Sequence, residues 1–285
     1  MATMPSRSID LSIEIDAPFD SVWSALTDAK ELANWFPLQA RVTPPSLDDP
    51  RQRGSIWMSW GDGLQFETPI DVWEPFKRLR VIQHEPTSEG PMPNPNRVMV
   101  EYIIDARSPS KTVLRLIHCG FLAGSEADEL YDATLRAWRF QLDGLKLYLE
   151  KYRGTDGGAA RPRRAVFARC TSTGHSREEL WRRVAGGGGL GGMKALDRLK
   201  AGERFHITLP DTVDGAIEGL VQYISAPREF RGAITNPGGG RLRLHVDDLF
   251  GQRDAYMWLS LFDVEDGVVK ELQDAADAMM RRIGE

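Results

Sequence analysis

Apolar and polar residues alternate along Ile9-Asp-Leu-Ser-Ile-Glu-Ile15, the two-residue period of a strand with one buried face. Ala17-Pro18 stops that alternation. In the next stretch, FDSVWSALTDAKELANWF, the period changes: Phe19, Val22, Trp23, Leu26, Leu32 and Phe36 form a broken helical stripe. Asp28 is placed to end one helix or cap the next, which predicts two short helices over about 19–27 and 29–36. Five strand-like runs follow, at 54–60, 64–74, 78–84, 98–105 and 111–118. Gly61-Asp62-Gly63 marks a tight hairpin between the first two, and Arg107-Ser-Pro-Ser110 marks another between the last two. Between the third and fourth runs, Pro91, Pro93 and Pro95 forbid continuous pairing and predict an exposed loop. A long helix over about 126–152 closes the series. Its Leu130, Leu135, Trp138, Leu142, Leu145 and Leu149 lie broadly along one face.

The segment GTDGGAARPRR has linker composition, and after it the order of elements repeats. Ala165–Arg169 reads as a strand and Arg177–Val184 as a helix. Five strand-like runs follow near 203–209, 212–224, 229–235, 241–247 and 254–262, and then a helix over about 266–283. Trp23 and Trp181 take equivalent helix positions, and Pro75 and Pro227 precede equivalent strands. The expectation is therefore an α+β chain of two tandem domains, 1–153 and 164–285, joined by a linker over 154–163. Each is expected to be a curved six-stranded antiparallel sheet wrapped around a long C-terminal helix. A sheet curved around one helix leaves a space between them where an apolar ligand fits.

Composition narrows the function classes. The 285 residues are 41% hydrophobic and 27% charged, which supplies enough apolar side chains for two cores. Net charge is -5, and through Arg153 the chain carries 17 Lys+Arg against 22 Asp+Glu. The remainder is balanced, at 19 against 19. Neither part has the basic surplus that neutralises phosphates, which argues against nucleic acid and an anionic membrane surface as partners. Cys119 and Cys170 are too few and too far apart for a disulfide framework, and they read as reduced thiols. The opening residues lack the apolar core of a signal peptide, and no run approaches transmembrane length. A cytoplasmic location is expected.

The residues also carry a resemblance. The segments IDAPFDSVWSALTDAKELANWF, IDVWEPFKRLRV and LIHCGF, followed by LRAWRFQLDGLKLYLE, resemble the START-like helix-grip (SRPBCC) superfamily. More narrowly, they resemble its heat-shock protein 90 ATPase activator-like branch. The likeness covers about 9–152 and rests on features in order: the Val-Trp helix, Pro75, His118-x-Gly120-Phe121, then Trp138. The second domain keeps the order of elements and Trp181 but has no His-x-Gly-Phe on its sixth strand, so it reads as a degenerate copy. The resemblance implies a tandem helix-grip fold. It also implies either a binder of small hydrophobic molecules or a stress-response protein with a chaperone as partner.

Candidate chemistry is sparse. If the inner faces of strands and helix enclose a space, Trp60, Phe66, Tyr102, His118 and Trp138 are expected to line it and bind a small apolar or aromatic ligand. Core packing remains the other reading of the same aromatics. Alternation places Ile56, Met58 and Trp60 on one face and Trp57 on the other. It likewise sets Leu64, Phe66, Ile70 and Val72 opposite Trp73. His118 is either a polar contact or acid/base at the end of the cavity, or a hydrogen-bonded residue fixing the turn at Gly120. A cavity enzyme of lyase, cyclase or hydrolase type using His118 is thus one alternative to non-catalytic binding. The run Gly186–Gly192 matches Gly-x-Gly-x-x-Gly, but a helix precedes it where a dinucleotide site needs a strand, so it reads as a flexible loop. His84, His118, His175, His206 and His245 fall in separate elements. No metal and no cofactor is expected.

Overall fold

The opening alternation forms β1 (Arg7–Ile15), and Pro18 precedes α1 (Phe19–Thr27). The computed structural model describes residues 7–46, 48–49, 51–61, 64–83, 98–121, 125–154, 161–172, 174–186, 195–209, 216–249 and 252–285. His84, the proline-bearing run through 97, and the glycine run from 187 lie outside the described residues. The chain divides into two units, Met1–Ala160 and Arg161–Glu285.

In the first unit Asp28 separates two helices by capping α2 (Ala29–Leu32): its carboxylate accepts from the Lys30 N–H at 2.8 Å and the Glu31 N–H at 3.0 Å. α2 stops four residues short of the expected end at 36. Pro37 disfavours helical geometry at Phe36, and the Trp35 indole N–H donates instead to the Ala25 carbonyl at 2.8 Å. This contact ties the turn back to α1.

The strands are β2 (Gln39–Thr43), β3 (Ser55–Ser59), β4 (Gln65–Glu74), β5 (Arg78–Ile82), β6 (Met99–Ser108) and β7 (Lys111–Phe121). With β1 they form one antiparallel sheet in the order β1-β7-β6-β5-β4-β3-β2. The expected count of six strands is one short. β2 is an edge strand with no fully buried residue, and its ladder with β3 makes it a strand more than any pattern of its own does.

A second correction concerns β4. Its register on β5 shifts between Ile70 and Val72, so that Val72 pairs with Arg80 and Trp73 with Leu79. A bulge of this kind reverses the alternation beyond it. Trp73 therefore shares Leu79's inner face and meets Trp23 edge-on, with ring centroids 5.0 Å apart, instead of opposing Phe66 and Ile70.

Helix α3 (Ser125–Leu147) ends in a single wide turn over Tyr148–Tyr152. Tyr148 is buried, donates to the Glu31 carboxylate at 3.0 Å and accepts from Asn34 at 3.1 Å. Arg153 joins the same carboxylate at 2.9 Å and reaches the Ser21 hydroxyl at 2.8 Å. These bonds clamp the end of the long helix onto α1 and α2.

The second unit comprises β8 (Arg164–Ser172), α4 (Arg177–Ala185), β9 (Arg204–Thr208), β10 (Ala216–Ser225), β11 (Glu229–Asn236), β12 (Gly239–Leu249), β13 (Gln252–Phe262) and α5 (Asp266–Gly284). Its six antiparallel strands follow the order β8-β13-β12-β11-β10-β9. Trp181 on α4 is buried, as Trp23 is on α1. Leu272, Ala276, Met280 and Ile283 of α5 pack into a core with Val166, Leu242, Leu244, Met257 and Leu259. Both units are thus curved antiparallel sheets gripped by a C-terminal helix. Among the described residues no helix is long and apolar enough to cross a membrane.

Candidate functional site

In the first unit, period-2 alternation brings one face of each central strand toward α3. Ile56 and Met58 come from β3, Phe66 and Thr68 from β4, Leu79 and Val81 from β5, and Val100 and Tyr102 from β6. Trp60 follows β3 in the same phase; its N–H donates to the Leu64 carbonyl at 2.9 Å, closing the hairpin. The outward Trp57 instead lies under the Arg41 guanidinium, 5.3 Å from the ring centroid.

These side chains surround a cavity of about 50 Å³. That is room for a few waters, and it is smaller than the roughly 150 Å³ of a cavity that takes a benzene ring, so a ring enters only if the wall moves. Aromatic contacts run around it. Phe66 meets Trp60 at 5.8 Å, Trp60 meets Phe36 at 5.3 Å, Phe36 meets Trp138 at 5.2 Å, and Trp138 meets Tyr102 at 6.1 Å. Four of the five expected residues, Trp60, Phe66, Tyr102 and Trp138, therefore line one space. The bulk of the volume between sheet and helix is side chain, so core and cavity wall are here the same residues.

His118 is placed differently. It lies on the inner face of β7, but behind Trp138 and outside the lining. The Trp138 indole N–H donates to His118 Nδ1 at 2.9 Å. Accepting there leaves the proton on Nε2, which has no partner among the described residues. Phe121 packs over the imidazole at 4.6 Å, and Gly120, at φ +103°, takes a backbone conformation open to glycine. Burial pulls the imidazole pKa down from 6.5 to about 4, so the ring is neutral at pH 7. Its arrangement suits positioning Trp138 more than exchanging protons with a bound molecule.

Because the folded pKa lies below the unfolded value, the unfolded chain binds more protons between pH 6.5 and 4. This contribution to stability is complete above 6.5 and is lost as pH falls toward 4. A loss of about 3 kcal/mol over that window is expected. His118→Gln should flatten it in chemical denaturation series, and equal slopes for both proteins would show that His118 is not its source.

Phe36 and Gln83 are among the lining residues that were not expected. Phe36 belonged to the helical stripe, but its phase was unreadable beyond the end of α2. Gln83 continues the alternation of Leu79 and Val81, and that register was the available signal.

In the second unit Phe205 is buried in the core. Gly219 and Gly232 lie flat beneath its ring, and a Cβ at either would collide with it. Phe230 packs edge-on against the same ring at 5.5 Å. Cys170 is buried there, and Cys119 of the first unit is half-buried; both are free thiols.

Residues 16–150 match the family model described as activator of Hsp90 ATPase homolog 1-like protein. The match spans most of the first unit and just under half of the 285 residues. Among solved structures, the di-domain ARO/CYC BexL from the BE-7585A biosynthetic pathway is 13% identical, covering 98% of this chain and 96% of that one at a TM-score of 0.42. The Aha1 dimer from Colwellia psychrerythraea is 16% identical over 52% of this chain and 99% of that one, with a TM-score of 0.41. CalU16 from Micromonospora echinospora is 26% identical over 50% of this chain and 74% of that one, with a TM-score of 0.36. No curated protein matches the chain.

Proposed function

We propose that the first unit binds a small, largely apolar or aromatic molecule in the cavity between its sheet and α3, without transforming it. The supporting observation is the unfilled, partly open apolar space lined by Phe36, Trp60, Phe66, Tyr102 and Trp138. Aromatic walls offer a ring both buried area and edge-to-face contacts. A benzene-sized cavity is roughly 150 Å³ and drug-sized ligands occupy roughly 300–1,000 Å³, so even one ring requires the wall to move, and a larger molecule more so. His118, neutral and outside the lining, lends no support to an acid/base reaction in this space.

Screening benzene-sized and bicyclic compounds by thermal shift and tryptophan fluorescence tests the reading. A compound at 100 times its dissociation constant is expected to add about 2.7 kcal/mol to stability. Fluorescence should change with it, since Trp60 and Trp138 stand at the wall. No response from any compound would place a second reading ahead: an interaction protein acting on a chaperone ATPase. That reading is favoured by the family match over 16–150 alone. It predicts stimulation of a chaperone's ATP hydrolysis by this chain.

A further inference from the structure

Among the described lining residues, Thr68, Tyr102 and Gln83 interrupt a largely hydrophobic wall. Thr68 is already satisfied, its hydroxyl donating to the Ile56 carbonyl at 3.1 Å. Tyr102 stays protonated, because burial pushes its phenol well above the ordinary value. Gln83 is different. Its backbone N–H donates to the Val98 carbonyl at 2.9 Å, which fixes the residue at the end of the β5 ladder with its side chain in the lining. The side-chain Oε1 is buried and has no hydrogen-bond partner among the described residues.

A buried acceptor left unpaired is costly, and a ligand that donates to it recovers the bond. Among the described residues no charged side chain lines the space, so a carboxylate or ammonium would meet no counter-charge from them. The space is small, so a single ring, admitted by a modest movement of the wall, fits it better than any larger molecule. We infer that the ligand is a neutral, single-ring compound bearing a hydroxyl, of the phenol class, whose O–H donates to Gln83 Oε1. The inference rests on the ligand-binding reading above and narrows it.

Calorimetric titration of the full chain with phenol, toluene and benzaldehyde separates the two. Toluene matches phenol in size but offers no donor, and benzaldehyde offers an acceptor only. Phenol is expected to bind about tenfold tighter than toluene, although it is the less hydrophobic of the pair. In Gln83→Met, which keeps the length of the side chain and removes its oxygen, that preference should fall to about one while toluene still binds. The inference is overturned if the native chain prefers toluene or benzaldehyde, or if the preference for phenol survives in Gln83→Met. Toluene binding without a phenol preference leaves the ligand-binding reading standing. Absence of binding by all three removes that reading and this inference together. The comparison within the native chain holds even if Gln83→Met fails to fold.

Discussion

Trp138→Ala is expected to lower the stability of the first unit by about 3–5 kcal/mol, the range for removing a large buried aromatic side chain. The indole is 6% exposed and stands between Phe36, Tyr102 and His118. Its loss enlarges a space that is already partly empty and leaves His118 Nδ1 without its donor. Both effects act in the same direction. Trp138→Phe separates them: it keeps most of the ring and removes only the N–H, and a loss of about 1–3 kcal/mol is expected for the unpaired acceptor. Chemical denaturation followed by circular dichroism measures both variants. A loss well below 1 kcal/mol for Trp138→Ala would mean that the helix does not seal the sheet through this residue.

Glu229→Gln is expected to cost about 3–5 kcal/mol in the second unit, the penalty for removing one partner from a buried ion pair. Glu229 is fully buried and binds Arg231 through two bonds, at 2.9 and 3.0 Å, and Arg243 at 2.5 Å. Arg231 and Arg243 face each other across the β11–β12 ladder. Like charges in that position repel, and the carboxylate between them offsets the repulsion. Burial alone would raise the Glu229 pKa, but the Arg243 and Arg231 guanidiniums outweigh it and hold the carboxyl below its ordinary 4.5. The stabilisation is therefore complete above about pH 4.5 and is lost as pH falls through the lowered folded value. Acid titration of the unfolding free energy should show that loss in the native chain and not in Glu229→Gln. A variant as stable as the native chain at pH 7 would mean that the arginines are satisfied without this carboxylate.

Much of the architecture was legible because hydrophobic period depends on local backbone geometry. Two-residue alternation in β1 and β7, and three-to-five-residue spacing in α3, were enough to place strands, helices and the face each one buries. The same alternation identified Trp60, Phe66 and Tyr102 as inner-face residues, and the helical stripe added Trp138. Where periodicity is interrupted, the reading failed for a physical reason. The register shift beyond Ile70 turned Trp73 inward, and no composition cue announces a bulge. β2 exists because β3 offers it an edge, a tertiary fact.

Alternation also says which residues share a face but not what covers it. Arg241, Arg243, His245 and Asp247 look like the solvated side of a strand, yet all four are buried. Likewise the sequence placed His118 on the inner face with Trp138. Only three-dimensional packing decided that the imidazole stands behind the indole as its acceptor rather than beside it on the cavity wall. The remaining volume, about 50 Å³, depends on the rotamers of Phe36, Trp60 and Trp138 together, and no pattern along a chain encodes such a joint packing solution.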